Sequence, residues 1–372
     1  MKPLSIYIHI PFCLKRCNYC DFLTFDDKNG HQSKYTTALI NDIKQSSRAF
    51  KDYTVQTIFF GGGTPTALSA WQLSEILGYA LENFSISSDV CITTEANPET
   101  ICLAYLKELR QAGFNRLSIG VQSFDNDLLK LIGRPHDSKR AVSSILEAKE
   151  AGFDNINIDL MFSIPTQKID DFENDLKTAT SLPISHISTY SLIIEQDTPI
   201  SKNKPLLKLI ASDEVDREMY AVAIKTLKDE GFEHYETSNF AKKGKKCQHN
   251  ITYWTGGEYV GYGLGASSYF NKVRSKKTDN LEDYIAGDFT TTMLEHIGKK
   301  EAMAEYFILG LRLIEGVSVE GFRRLFGVCP LEYYRDAFEK FAADGLVIID
   351  NDSIRLSRRG IDLSNVVFRE FL

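Results

Sequence analysis

Apolar positions divide the chain into short extended runs, each followed by a longer stretch of helical periodicity. The extended runs are 4–10 (LSIYIHI), 56–60 (QTIFF), 90–95 (VCITTE), 116–122 (RLSIGVQ), 155–161 (NINIDLM) and 186–193 (HISTYSLI). Helix-length segments lie between them at 34–49, 69–83, 99–112, 137–151 and 168–181, with a longer one near 211–230. Boundary signals agree: Ser69 precedes the second helix, Pro98 sits in the turn before the third, and Gly113 and Gly152 close the third and fourth. Strands alternating with helices predict an α/β fold with a parallel sheet. Right-handed crossovers leave an open doubly wound sheet or a full or partial barrel.

Polar residues favour the barrel. Pro11-Phe12-Cys13, Gly61-Gly62-Gly63-Thr64, Glu95, Gln122, Asp159 and Tyr190-Ser191 all fall at or just after the C-terminal ends of strands. In a parallel barrel those ends converge on one mouth, whereas an open sheet gathers only the pair at its switch point. In the first strand Ile6, Ile8 and Ile10 alternate with Tyr7 and His9, so one face packs on helices and the other faces the lumen. The tail reads differently: helical patterns at 299–314, 318–326 and 331–344 precede β-runs at 346–350 and 354–357. That order resembles a winged helix. The expected division is therefore 1–290, a partial (β/α)6 barrel with additional β-structure, and 291–372, a winged-helix-like domain.

Charge and composition narrow the function. Lys plus Arg is 43 and Asp plus Glu is 50, a formal net charge of −7, and from Lys299 onward 11 basic residues face 12 acidic ones. Neither balance suits a nucleic-acid or anionic-membrane coat, so no nucleic-acid partner is expected, and docking or gating suits the tail better. No apolar run reaches the roughly 18 residues of a spanning helix, and no leader pattern precedes LSIYIHI, so a cytoplasmic protein is expected.

The sharpest chemical signal is Cys13-Leu-Lys-Arg-Cys17-Asn-Tyr-Cys20 directly after the first strand; Cys91, Cys102, Cys247 and Cys329 are scattered. Three thiolates can hold three irons of a [4Fe–4S] cluster and leave the fourth open. A structural zinc completed by His9 or His31 fits the spacing too. Gly61–Gly63 permit close backbone approach to a ligand or simply make a tight turn. Glu95, Asp159, Arg134 and Gln122 are suited either to polar ligand groups or to ion pairs inside a barrel. His249 follows Lys242-Lys243-Gly244-Lys245-Lys246 and stands beside Tyr253 and Trp254, a set that reads first as a packed histidine after a solvated loop and, as the alternative, as a haem site. Cys247 is a second axial-ligand candidate. Cys329-Pro330 reads as Pro at a helix start, and the G-x-G-x-G of 261–265 as a close-packed turn rather than a nucleotide site.

YIHIPFCLKRCNYCDF resembles the radical S-adenosylmethionine (SAM) enzymes. GGGTP at 61–65, GVQSF at 120–124, IGRPH at 132–136 and NIDLMFSIPTQ at 157–167 resemble oxygen-independent coproporphyrinogen III oxidase and its relatives. The resemblance implies a [4Fe–4S] cluster on Cys13, Cys17 and Cys20, with SAM contacted by Tyr7, Tyr19, Gly62, Gly63, Thr64, Glu95, Gln122, Arg134 and Asp159. Two departures matter. Phe22 stands where the oxidase has a fourth cysteine, and only three residues precede the first strand. These features, with HNITYW at 249–254, resemble instead the HemW branch, oxidase-like haem chaperones. That branch implies haem as cargo, near His249 or Cys247, and an acceptor haemoprotein, membrane-associated or not, with homodimerisation an open option. Oxidative decarboxylation of coproporphyrinogen III is the rival reading, and whether the chain is an enzyme stays open at this stage.

Overall fold

A computed structural model describes residues 1–26, 30–350 and 352–371. The anticipated strands are present as β1 (Lys2–Ile10), β2 (Tyr53–Gly62), β3 (Ile86–Ala96), β4 (Arg116–Gln122), β5 (Ile156–Phe162) and β6 (His186–Ser191). Each pairs in parallel with the next. Helices α1 (Gln32–Ser46), α2 (Ala70–Asn83), α3 (Leu103–Ala112), α4 (Ser138–Glu150) and α5 (Ile169–Thr180) make the crossovers, and α6 (Asp213–Asp229) follows β6. Local chemistry sets their ends. Ser69 Oγ accepts the Gln72 amide while the Gln72 side chain accepts the Ser69 amide, a capping box for α2. Gly113 closes α3 in the left-handed region at φ 115°.

The sheet is larger than the six-strand pattern and does not close on itself. Antiparallel β7 (Glu233–Glu236) and β8 (Asn239–Ala241) extend it past β6. On the other flank β9 (Tyr259–Tyr262) runs parallel to β1, followed by antiparallel β10 (Ser267–Phe270), β11 (Val273–Lys277) and β12 (Thr291–His296). The full order is β12-β11-β10-β9-β1-β2-β3-β4-β5-β6-β8-β7. One cavity is lined by side chains from all six central strands, so the sheet curls around a lumen without closing: a partial barrel. Helix α7 (Gln248–Trp254) lies across the N-terminal part of that lumen, where Thr57 of β2 bonds His249 and Ser5 of β1 bonds Thr252.

Outside the lumen, Ile6, Ile8 and Ile10 are wholly buried in one core with Leu39, Leu73 and Leu106 of the helices. Each such side chain contributes about 1.5–3 kcal/mol of burial. The glycine run after β9 is a close-packed turn, as anticipated: a Cβ on Gly263 (φ 99°) would stand 2.5 Å from the His9 carbonyl oxygen. Tyr35 of α1 ties this turn to β1, its hydroxyl donating to the His9 carbonyl at 2.7 Å and accepting the Leu264 amide at 2.9 Å.

The tail has its own apolar core, in which Phe307, Phe322, Phe338, Phe341 and Phe371 meet. Helices α8 (Lys299–Gly310), α9 (Val319–Phe326) and α10 (Arg335–Ala343) accompany a small sheet of β13 (Val317–Ser318), β14 (Val347–Ile349) and β15 (Ser353–Leu356), in the order β13-β15-β14. Two boundaries differ from expectation. α8 stops at Gly310, not 314, because residues 312–314 leave to bond the barrel: the Thr237 amide donates to the Arg312 carbonyl and the Ile314 amide to the Tyr235 carbonyl. The 331–344 pattern breaks at Tyr334 (φ −109°, ψ 35°), whose ring packs on Phe307 and Phe371. Pro330 does occupy a first helical position, with Cys329 before it. Among the described residues no helix is long and apolar enough to cross a membrane.

One buried ion pair ties α1 to the additional β-structure. Lys277 Nζ lies 2.8 Å from Asp42 Oδ1, and the Tyr284 hydroxyl donates to Asp42 Oδ2 at 2.9 Å. Lys277→Met leaves that carboxylate buried without its cation, so urea unfolding should record a loss of about 3–5 kcal/mol. Adding Asp42→Asn to that variant should restore part of the loss.

Candidate functional site

At the C-terminal ends of the strands lies a cavity of about 680 Å³. Its wall brings together Cys13, Cys17, Cys20, Tyr19, Gly62, Gly63, Thr64, Glu95, Gln122, Arg134 and Asp159. Tyr7 belongs to a deeper cavity of about 630 Å³ in the lumen, which shares Glu95, Ser118 and Asp159 with the first. Its hydroxyl bonds His9 Nδ1 at 3.0 Å.

The cysteine loop leaves β1 through a two-residue pairing of Phe12–Cys13 with Phe25–Asp26. Cys13 Sγ is 3.3 Å from Thr64 Oγ1, which in turn accepts from Asn97 Nδ2 at 3.0 Å. Cys17 Sγ accepts from Arg134 Nη1 at 3.4 Å. Burial pushes the Cys13 thiol up to about 11 against the pull of the Thr64 hydrogen bond, and burial likewise raises Cys20. Burial thus biases both groups toward the neutral thiol. Among the described residues no three acidic, histidine or cysteine side chains converge closely enough for a single metal ion; the three thiols line one cavity wall instead. Phe22 is 64% exposed at the cavity edge and brings no fourth thiol.

The glycines are required by crowding. A Cβ on Gly63 would meet the Phe12 carbonyl at 2.8 Å and Cys13 Sγ at 3.1 Å, and one on Gly62 (φ 118°) would strike the His9 ring at 2.7 Å. The Gly62 amide donates to Glu95 Oε2 at 3.3 Å. Burial, followed by the neighbouring Asp159 charge, raises the Glu95 carboxyl to about 8, and burial raises Asp159 as well. Arg134 is held by Asn97 Oδ1 at 2.7 Å and by the Gly120 carbonyl, yet its Nε is enclosed with no hydrogen-bond partner. That orphaned donor, beside a thiol and two carboxyl groups on one cavity wall, fits an amino-acid ligand with a carboxylate and an ammonium group, the donor set SAM requires.

Two residues of this site escape the motif reading. Asp175 of α5 accepts from Ser123 Oγ and from the Phe124 amide, both at 2.7 Å. It thereby fixes the turn after Gln122, which sits at φ 69°, uncommon for a residue with a side chain. Asn97 joins Thr64 to Arg134. Nothing in the periodicity marks Asp175; Asn97 stands beside Pro98, which the pattern marks only as a turn.

The haem candidates are placed elsewhere. His249 is 2% exposed, with Nδ1 2.7 Å from Thr57 Oγ1 and Nε2 2.8 Å from the Tyr253 hydroxyl. Its ring stacks on Phe59 at 4.9 Å, and burial lowers its pKa to about 3. Both nitrogens are engaged, so no free axial ligand is presented there. Cys247 is buried at the start of the same helix. The lysines do not share that space: Lys242 Nζ donates to the Glu230 carbonyl at 2.6 Å, and Lys243 is exposed. The imidazole and the lysine loop, contiguous in sequence, thus face different surroundings, because α7 turns His249 into the lumen.

Comparison with known proteins completes the picture. Residues 7–179 match the Radical SAM superfamily and residues 297–363 the HemN C-terminal domain. Heme chaperone HemW of Bacillus subtilis is 36% identical over 374 residues, covering 99% of both chains. Heme chaperone HemW of Escherichia coli is 32% identical, covering 100% of this chain and 99% of that protein. Coproporphyrinogen III oxidase (HemN) from Escherichia coli, described as a radical SAM enzyme, superposes with a TM-score of 0.88 at 24% identity, covering 100% of this chain and 90% of that one, and so shares the fold. With relatedness at this level along its whole length, the chain belongs to the HemW family of the radical SAM superfamily.

Proposed function

We propose that this protein is a haem chaperone: it binds haem and passes it to an acceptor haemoprotein, with a [4Fe–4S] cluster and SAM at the barrel mouth conditioning the transfer. The observation that carries the reading is end-to-end similarity to proteins named heme chaperone HemW. Phe22 in place of a fourth cysteine supports it against the decarboxylase reading.

Cys13, Cys17 and Cys20 would hold the cluster, each giving up its proton, so loading becomes easier as pH rises. Arg134 would pair with the SAM carboxylate through its unused Nε–H, while Glu95 and Asp159 would take its ammonium or hydroxyl groups. When bound, this pair supplies one-electron reductive chemistry at a sulfonium. The chain's own part is to orient that ligand and keep water from it. Asp175 would position Gln122 from behind the turn, and Asn97, itself on the cavity wall, would hold Arg134.

Three outcomes test these assignments. After anaerobic reconstitution, simultaneous replacement of Cys13, Cys17 and Cys20 by Ala should reduce the broad cluster absorption and the labile sulfide to background. Haem titration of the reconstituted wild type should give saturable Soret changes, while coproporphyrinogen III incubated with SAM and dithionite should be recovered unchanged; its conversion to protoporphyrinogen would overturn the chaperone reading. The third concerns Glu95, whose carboxyl is raised in the folded state to about 8 from an ordinary 4.5. Its contribution to stability is complete below pH 4.5 and is lost as pH climbs to 8. Glu95→Gln escapes that loss, so its melting temperature relative to wild type should rise between pH 5 and pH 8.5. The gain should be about 2–4 °C per kcal/mol relieved.

A further inference from the structure

Beneath the cluster cavity, the deeper lumen contains a cation that no described group meets at hydrogen-bond or ion-pair distance. Arg116 is the first residue of β4 and is 2% exposed. Its Nε is enclosed without a partner, and among the described residues no hydrogen bond or ion pair reaches its guanidinium. The carboxyl groups of Glu95 and Asp159 line the same cavity but stand beyond ion-pair range. Nor can the adjacent amide turn to it. Asn157 donates to Ser118 Oγ at 2.8 Å and Asp159 Oδ1 at 2.9 Å, and its oxygen is taken by His186 at 2.6 Å and Ser188 at 3.2 Å. A buried guanidinium left without an anion is among the costliest arrangements a fold can hold, and Arg is the residue whose forked donors match a carboxylate.

The structure assigns to Arg116 the role of anchor for a carboxylate carried on an apolar, aromatic-compatible body, bound in the lumen below the cluster cavity. The cavity measures about 630 Å³, and four aromatic side chains, Tyr7, Phe59, Tyr190 and Tyr253, share its wall with the guanidinium. A phosphate dianion is disfavoured, because Arg116 is the only basic side chain on that wall apart from the engaged, neutral His249, which leaves a second negative charge without a partner. Two sources supply the matching chemistry. One is a propionate arm of haem, which rests on the function proposed above; the other is a free aromatic carboxylic acid, which does not.

Thermal unfolding of the full chain with millimolar 3-phenylpropionate or its methyl ester tests the anchor directly. The acid should raise the wild-type melting temperature by about 2–4 °C and the ester should not. The shift should vanish in Arg116→Met and return in part in Arg116→Lys. Parallel titrations with haem and haem dimethyl ester test the other source: the free acid should bind wild type at least about tenfold tighter, a preference Arg116→Met abolishes. Equal response to acid and ester in both pairs of ligands, which needs no variant to fold, overturns the anchor while leaving haem binding intact. Failure of both haem forms to bind, with the 3-phenylpropionate shift present and dependent on Arg116, supports the anchor with a free acid as its ligand and removes the haem reading. No shift with 3-phenylpropionate and no preference between the haem forms overturns it.

Discussion

Desolvation of charged groups inside the curled sheet is the constraint on which this structure turns. The strands bury apolar residues outward against helices, which commits every second residue to the lumen. Those positions hold Tyr7, Glu95, Arg116, Ser118, Asp159 and Ser188. Water is largely replaced there by protein, so carboxyl and thiol groups shift toward their neutral forms and His249 is held unprotonated. A site of that kind is under tension until a ligand completes it. Two arginines, Arg116 in the lumen and Arg134 at the mouth, each keep an enclosed Nε without a partner, the same deficit at two depths.

Much of this was legible in the chain. Period-two alternation located the central strands, because one face is always committed to a core. Placing the polar residue of each strand at its C-terminal end was enough to gather Glu95, Gln122 and Asp159 with the cysteine loop, since parallel strands point those ends the same way. What the pattern could not reveal were contacts made across layers. Asp175 looks like an ordinary acidic residue in an amphipathic helix, yet it reaches the turn after Gln122. Tyr334 satisfies helical periodicity but leaves the helix as its ring joins an aromatic cluster.

The same limit explains the histidine in HNITYW. Proximity in sequence joined His249 to the lysines before it, but a short helix across the lumen separates them within a few residues. Its imidazole is wedged between Thr57, Tyr253 and Phe59, which makes it part of the barrel's floor. The family motifs identify which residues matter; only packing tells what each one touches.

The contact between tail and barrel has a further meaning. β7 is the outermost strand on its side of the sheet, and its only described pairing beyond β8 is the antiparallel bridge between Glu236 and Leu313. Residues 312–314, peeled from the end of α8, therefore act as a cap on an otherwise open hydrogen-bonding edge. Such edges recruit strands from other molecules when left bare. The tail is thus a guard of solubility as well as an appendage, and a barrel cut off before α8 would carry its own seed for self-association.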